Sequence, residues 1–274
     1  MTEGDRTLPL FNDPPVIETV LGVQFSPLSE FSIQHFGLFW SKIRKEYPNC
    51  SPQLPLPLVI ENFEEKGATK PPATINLIED LSYLRAWFIN KSQTRLIQIQ
   101  KDRFLYNWRK TVESDTYPQY DNIQPKFKDE WEKFCDFLKE EKIGTPNLMQ
   151  CEVTYVNHLE IEKGWNTFGE FSKVFSNWSE KFSGDFLNTP ETITCNMAFT
   201  IPGKKGRLHI SICPAIRMSD GKKIFNVELT ARGKPNTSDV NAILEWFDIG
   251  HEWIVKGFTD LTTDHMHQIW RREI

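Results

Sequence analysis

The chain has 274 residues, a net charge of −5, 39% apolar residues and 25% charged residues. That balance excludes a disordered chain, and nine Trp with twenty Phe supply the bulk for a sizeable core. The acidic balance argues against nucleic acid held through phosphate contacts. No uncharged apolar run reaches the roughly 18 residues of a membrane helix, so no membrane association is expected. Acids and prolines at the start of the chain are unlike a signal peptide, which predicts a cytoplasmic protein. Cys50, Cys135, Cys151, Cys195 and Cys213 are odd in number and include no C-x-x-C pair. That spacing predicts neither a disulfide framework nor a zinc knuckle, and it reads Cys195 and Cys213 as small buried hydrophobes.

In chain order, residues 16–25 read as a strand. Phe36, Phe39, Trp40, Ile43 and Tyr47 follow at helical spacing. The stretches 51–57 and 64–72 read as loops, rich in Pro or in Gly and charge. Strands are predicted over 83–90 and 95–109, with a hairpin turn near Lys101 and Asp102. Phe127, Trp131, Phe134 and Leu138 mark a helix that Gly144 and Pro146 stop. The second half reads likewise. A strand over 149–161 precedes a helix carrying Phe168, Phe171, Phe175, Trp178 and Phe182. Strands at 192–201, 207–213 and 223–231 follow, separated by turns at Gly203–Gly206 and at Asp220-Gly221. A long final helix is predicted from 237 or 238 towards Trp270.

Each half therefore reads as strand, helix, about three strands, helix. This is an α+β fold built as a duplicated unit, with halves at 1–148 and 149–274 forming one pseudo-symmetric body. Strand alternation places Ile97 and Ile99 on one face and Gln98 and Gln100 on the other. Leu208, Ile210 and Ile212 likewise alternate with Arg207, His209 and Ser211. The pattern predicts an antiparallel sheet with helices on one face and a second, wet polar face. As architecture alone, such a duplicated unit resembles the saddle of the TATA-binding-protein-like folds.

Several stretches together carry a further resemblance. They are Pro14 to Glu18, the run from Leu96 to Arg109, Tyr155-Val156-Asn157-His158, and His251-Glu252 with Thr259, Thr262, Thr263, His265 and Trp270. The set resembles a sporadically distributed family of uncharacterised prokaryotic proteins of about this length. The resemblance implies a conditional accessory role, linked to mobile or defence-related gene neighbourhoods, and brings no activity with it.

Chemical motifs are sparse. His265-Met266-His267 points two rings apart on a helix, H-E-x-x-H is absent, and no metal site is predicted. There is no phosphate-binding glycine motif and no G-x-S-x-G, so no cofactor and no catalytic residue are assigned. His251 lies on the apolar stripe of the last helix with Phe247 and Ile254. It is expected to be neutral and bonded to a sheet group such as Asn157, with a ligand or proton-transfer role as the alternative. The hairpin offers the other cluster. Gln98 and Gln100, with Asn107 and Arg109 on the partner strand, make a forked donor and acceptor surface on the polar face. An ordinary solvated sheet face is the competing account. The candidate binding residues are thus Gln98, Gln100, Arg103, Asn107, Arg109, Asn157 and His251.

The resulting expectation is a non-enzymatic binding or adaptor protein, holding a protein or small-ligand partner on its open sheet face. Two alternatives are a holdase-like chaperone of a neighbouring toxin or effector, and a hydrolase or nuclease using His251 or the Arg109 cluster. A second copy of the chain is a further candidate partner.

Overall fold

A computed structural model describes residues 8–61, 84–178, 186–188 and 190–273. The first half runs β1 (Val16–Phe25), α1 (Ile33–Ile43), β2 (Asn49–Gln53), β3 (Arg85–Ile89), β4 (Arg95–Gln100), β5 (Arg103–Arg109) and α2 (Tyr120–Glu140). The second runs β6 (Leu148–Glu160), α3 (Phe171–Val174), β7 (Cys195–Ile201), β8 (Gly206–Ile216), β9 (Lys223–Gly233), α4 (Val240–Leu261) and α5 (Asp264–Ile269). Among the described residues, nine strands form one open sheet in the order β2-β3-β4-β5-β1-β6-β9-β8-β7. Every ladder in it is antiparallel. The protein is α+β, as the alternation predicts.

One face of the sheet is a dense aromatic core. Leu21, Val23 and Phe25 of β1, Phe104 and Tyr106 of β5 and Phe225 of β9 all point to it and are buried. Phe104 stacks on Phe134 of α2 at 5.3 Å, and Phe39 of α1 meets Phe88 of β3 at 5.7 Å. Phe247 of α4 lies edge-on to Phe127 of α2 at 4.8 Å. Phe225 collects Trp165, Phe171 and Phe175. Rings in such offset and edge-on pairs add to the stabilisation from burial alone.

The structure departs from the sequence reading in several elements. Residues 51–53 of the expected loop belong instead to edge strand β2, where Pro52 is tolerated because an edge leaves one side of the ladder unpaired. The helix expected around Phe168 to Phe182 is the single turn α3. Phe175 then turns extended and bridges to Thr262. Phe182, like the loop at 64–72 and Tyr83, lies outside the described residues. The long last helix breaks at Thr262, which is extended, and Thr263 caps α5 by accepting from the Met266 amide. Finally, Cys195 and Cys213 are half-buried: Cys195 lies on edge strand β7, and Cys213 falls on the polar face.

The expectation of a wet polar face fails more instructively. Gln98, Gln100, Arg103 and Asn107 are all buried. What covers part of that face is the chain itself. After β2, residues 54–61 run extended across the sheet, roughly perpendicular to its strands, as a strap. Its path fits its length. Five strand spacings from β2 to β6 come to about 24 Å, and eight residues of polyproline II come to about 25 Å. Pro55 and Pro57 pre-set that extended conformation.

Candidate functional site

Strand register aligns four polar side chains into a row on the polar face. Gln100 of β4 pairs with Arg103 of β5, Arg103 with Gln24 of β1, and Gln24 with Gln150 of β6. Each is at most 5% exposed. The strap lies along this row. The Leu56 amide donates to Gln100 Oε1 at 2.9 Å, and Gln100 Nε2 donates back to the Leu56 carbonyl at 3.1 Å. Gln150 works the same way one step on. The Glu61 amide donates to its Oε1 at 2.9 Å, and its Nε2 donates to the Val59 carbonyl at 2.9 Å. Arg103 Nη2 donates to the Pro57 carbonyl at 2.8 Å, and Arg85 Nε to the Leu54 carbonyl at 3.1 Å. A carboxamide offers a donor and an acceptor side by side, so each Gln reads peptide backbone whatever the side chain. Gln24 Oε1, also buried, has no partner among the described residues.

Glu61 of the strap sits in an ion cluster on β8 and β9. Glu61 Oε2 is 2.6 Å from Arg207 Nη1, and Oε1 is 2.5 Å from His209 Nε2 and 3.8 Å from Arg232 Nη1. Burial works to raise the Glu61 pKa, but the His209 and Arg207 bonds outweigh it and hold the carboxyl below its ordinary value.

Of the expected hairpin residues, Gln100 and Arg103 touch the strap, while Gln98, Asn107 and Arg109 do not. Gln98 Nε2 donates to Asn107 Oδ1 at 2.8 Å, and Asn107 Nδ2 donates to Glu18 Oε1 at 2.7 Å. Trp87 Nε1 and Arg85 both donate to Gln98 Oε1. Arg109 and Arg85 each sit 5.6 Å from the centroid of Trp87, and Arg109 Nε donates to the Gln93 carbonyl. Burial raises the Glu18 pKa against the opposing Asn107 bond. This second polar line is therefore largely satisfied within the sheet.

Asn157 and His251 belong to a different place. Together with Tyr117, Tyr120 and Tyr155 they line a cavity of about 210 Å³ on the helix side, which residues 8–11 help enclose. The expected bond between the two is not made. His251 Nδ1 lies 2.9 Å from Tyr155 Oη, which is 2.7 Å from Tyr117 Oη, and Asn157 Nδ2 donates to the Val227 carbonyl. The His251 ring stacks on Tyr120 at 3.9 Å. Burial lowers the His251 pKa to about 4, which keeps the ring neutral at pH 7. Burial also raises the pKa of Tyr117, Tyr120 and Tyr155, which keeps the three hydroxyls protonated. Gln119 and Asp121 complete the polar lining.

Sequence reasoning assigned no site role to Gln24, Gln150, Glu61, Arg207, His209 or Arg232 and did not foresee the strap itself. The polar parity of Gln24 and Gln150 in their strands was a readable signal, as was the Pro-spaced run from Leu54 to Leu58. Among the described residues no helix is long and apolar enough to cross a membrane, and no group of three His, Cys, Asp or Glu could hold a metal ion. No protein-family model, curated protein or solved structure matches the chain.

Proposed function

We propose that the protein is a non-enzymatic binding or adaptor protein whose polar sheet face holds an extended polypeptide segment of a partner protein. The observation that carries this reading is the pairing of Gln100 and Gln150 with the backbone of residues 56–61. A surface that needs only to be soluble does not require buried carboxamides set in register across four strands. The strap is the segment that fills this receptor within the chain. The spatial orders β1-β5-β4-β3 and β6-β9-β8-β7, each followed along the chain by a long helix, support the duplicated, saddle-like architecture as part of the same proposal. A cytoplasmic setting and an accessory role in a prokaryotic defence system complete it. The first accords with free cysteines at all five positions and the second with the family resemblance.

The test is selection of a random octapeptide display library against the full chain carrying Glu61→Arg, which loosens the end of the strap. Enriched peptides should lose binding when Gln100→Ala and Gln150→Ala are added, and a synthetic peptide of residues 54–61 should compete with them. Enriched peptides indifferent to both glutamines would refute the reading.

A further inference from the structure

Resting on that reading of the polar row, we infer that the partner segment is acidic and seats one carboxylate where Glu61 now sits. Glu61 is the last strap residue held by Gln150, and from there its side chain reaches onto two further strands. Arg207, His209 and Arg232 converge on its carboxylate, whose side chain is 6% exposed. Charge-assisted bonds of this kind are about twice as strong as neutral ones. A neutral or basic residue in that position forgoes them all, so the cluster selects for a negative charge at one end of the row.

The surroundings favour a single carboxylate over a run of phosphates. Arg232 is already paired with Glu152, two residues from Gln150 on the same face, and Asp102 accepts from both Gln100 and Arg103 of the row. A polyanion laid across the row would meet these acids at close range, whereas a peptide carrying one acid beyond an apolar stretch would not.

The strap is also exchangeable. Leu54, Leu58 and Ile60 are exposed at 74%, 49% and 39%, so docking buries little of their apolar surface. Polar contacts to backbone and to one acid hold the strap, and a second peptide can reproduce each of them. Segments with few buried apolar contacts open at low cost. The row also contains a position the strap leaves unmet. Among the described residues Gln24 Oε1 lacks a donor, and the nearby Pro57, held by Arg103, has no N–H to give.

The experiment uses the full chain with Glu61→Arg and, separately, with Glu61→Gln. The probes are a dye-labelled synthetic peptide of residues 54–61, amidated at its C-terminus, its analogue ending in Gln, and a labelled single-stranded oligonucleotide. Fluorescence polarisation should give at least tenfold tighter binding for the Glu-ended peptide than for the Gln-ended one. Adding Arg207→Gln should remove that difference. Equal affinity for the two peptides overturns the acidic partner and leaves the peptide-receptor reading standing. Binding of neither peptide overturns both. An oligonucleotide that binds more tightly than the acidic peptide overturns the inference in favour of a nucleic-acid partner. If circular dichroism shows that the Glu61→Arg chain does not fold, the milder Glu61→Gln chain carries the measurement.

Discussion

Gln150→Ala isolates the contribution of one rung of the polar row. Gln150 is 1% exposed, and the two side-chain bonds it makes both go to the strap, to the Glu61 amide and the Val59 carbonyl. A net contribution of about 1 kcal/mol per hydrogen bond puts the loss near 2 kcal/mol. The released strap groups face water, which can solvate them, so the larger penalty of a buried orphan does not apply to them. A loss of that size is about a 30-fold change in the opening equilibrium of the strap. Amide hydrogen exchange followed residue by residue reads it directly. The Glu61 amide should exchange about 30-fold faster in the variant. The Leu56 amide, held by Gln100 at the other end, should change less. Core amides such as those of β1 and β6 should exchange as before, since no core contact is touched. An unchanged rate at Glu61 would refute the reasoning, because it would mean that the carboxamide does not hold the strap in solution. Acceleration throughout the sheet would refute it in another way, by making Gln150 a determinant of global stability.

Two further outcomes test the frame that presents the row. Phe247 is fully buried between α4 and α2, so Phe247→Ala should cost about 3–5 kcal/mol and lower the melting temperature by roughly 6–20 °C; an unchanged melting temperature would contradict the packing of α4 across the sheet. His251 has its pKa lowered to about 4, so between roughly pH 6.5 and 4 the unfolded chain binds a proton that the folded chain does not. Stability should therefore fall as pH drops through that window, with His251 contributing about 2 kcal/mol of the loss at pH 5. Burial lowers the His158 and His267 pKa values in the same direction, so urea unfolding at pH 7.5 and 5 should be compared with a His251→Phe chain. An equally steep pH dependence in that variant would remove His251 from the account.

Much of the fold follows from local stereochemistry and was legible without coordinates. Successive side chains in a strand take opposite faces, so Ile97 and Ile99 against Gln98 and Gln100 could be sorted by alternation alone, and the structure keeps that sorting. The apolar stripe through Phe127, Trp131, Phe134 and Leu138 and the glycine turns between strands are read the same way. Where local signals were weaker, the reading slipped. The threonines at 262 and 263 could continue a helix or cap one, and only the bridge from Phe175 to Thr262 commits them to a break. Alternation also states which face a side chain takes and says nothing of what covers that face. Gln100, Gln24 and Gln150 lie far apart in the chain and become one row only because β4, β5, β1 and β6 are neighbours in that register. The strap that crosses them, and the salt bridge that joins Glu61 to Arg207 across 146 positions, depend on the order of strands in the sheet. Period and composition determined the two faces of this protein. Contacts remote in sequence decided that the polar one is a backbone-binding row with a carboxylate site at its end.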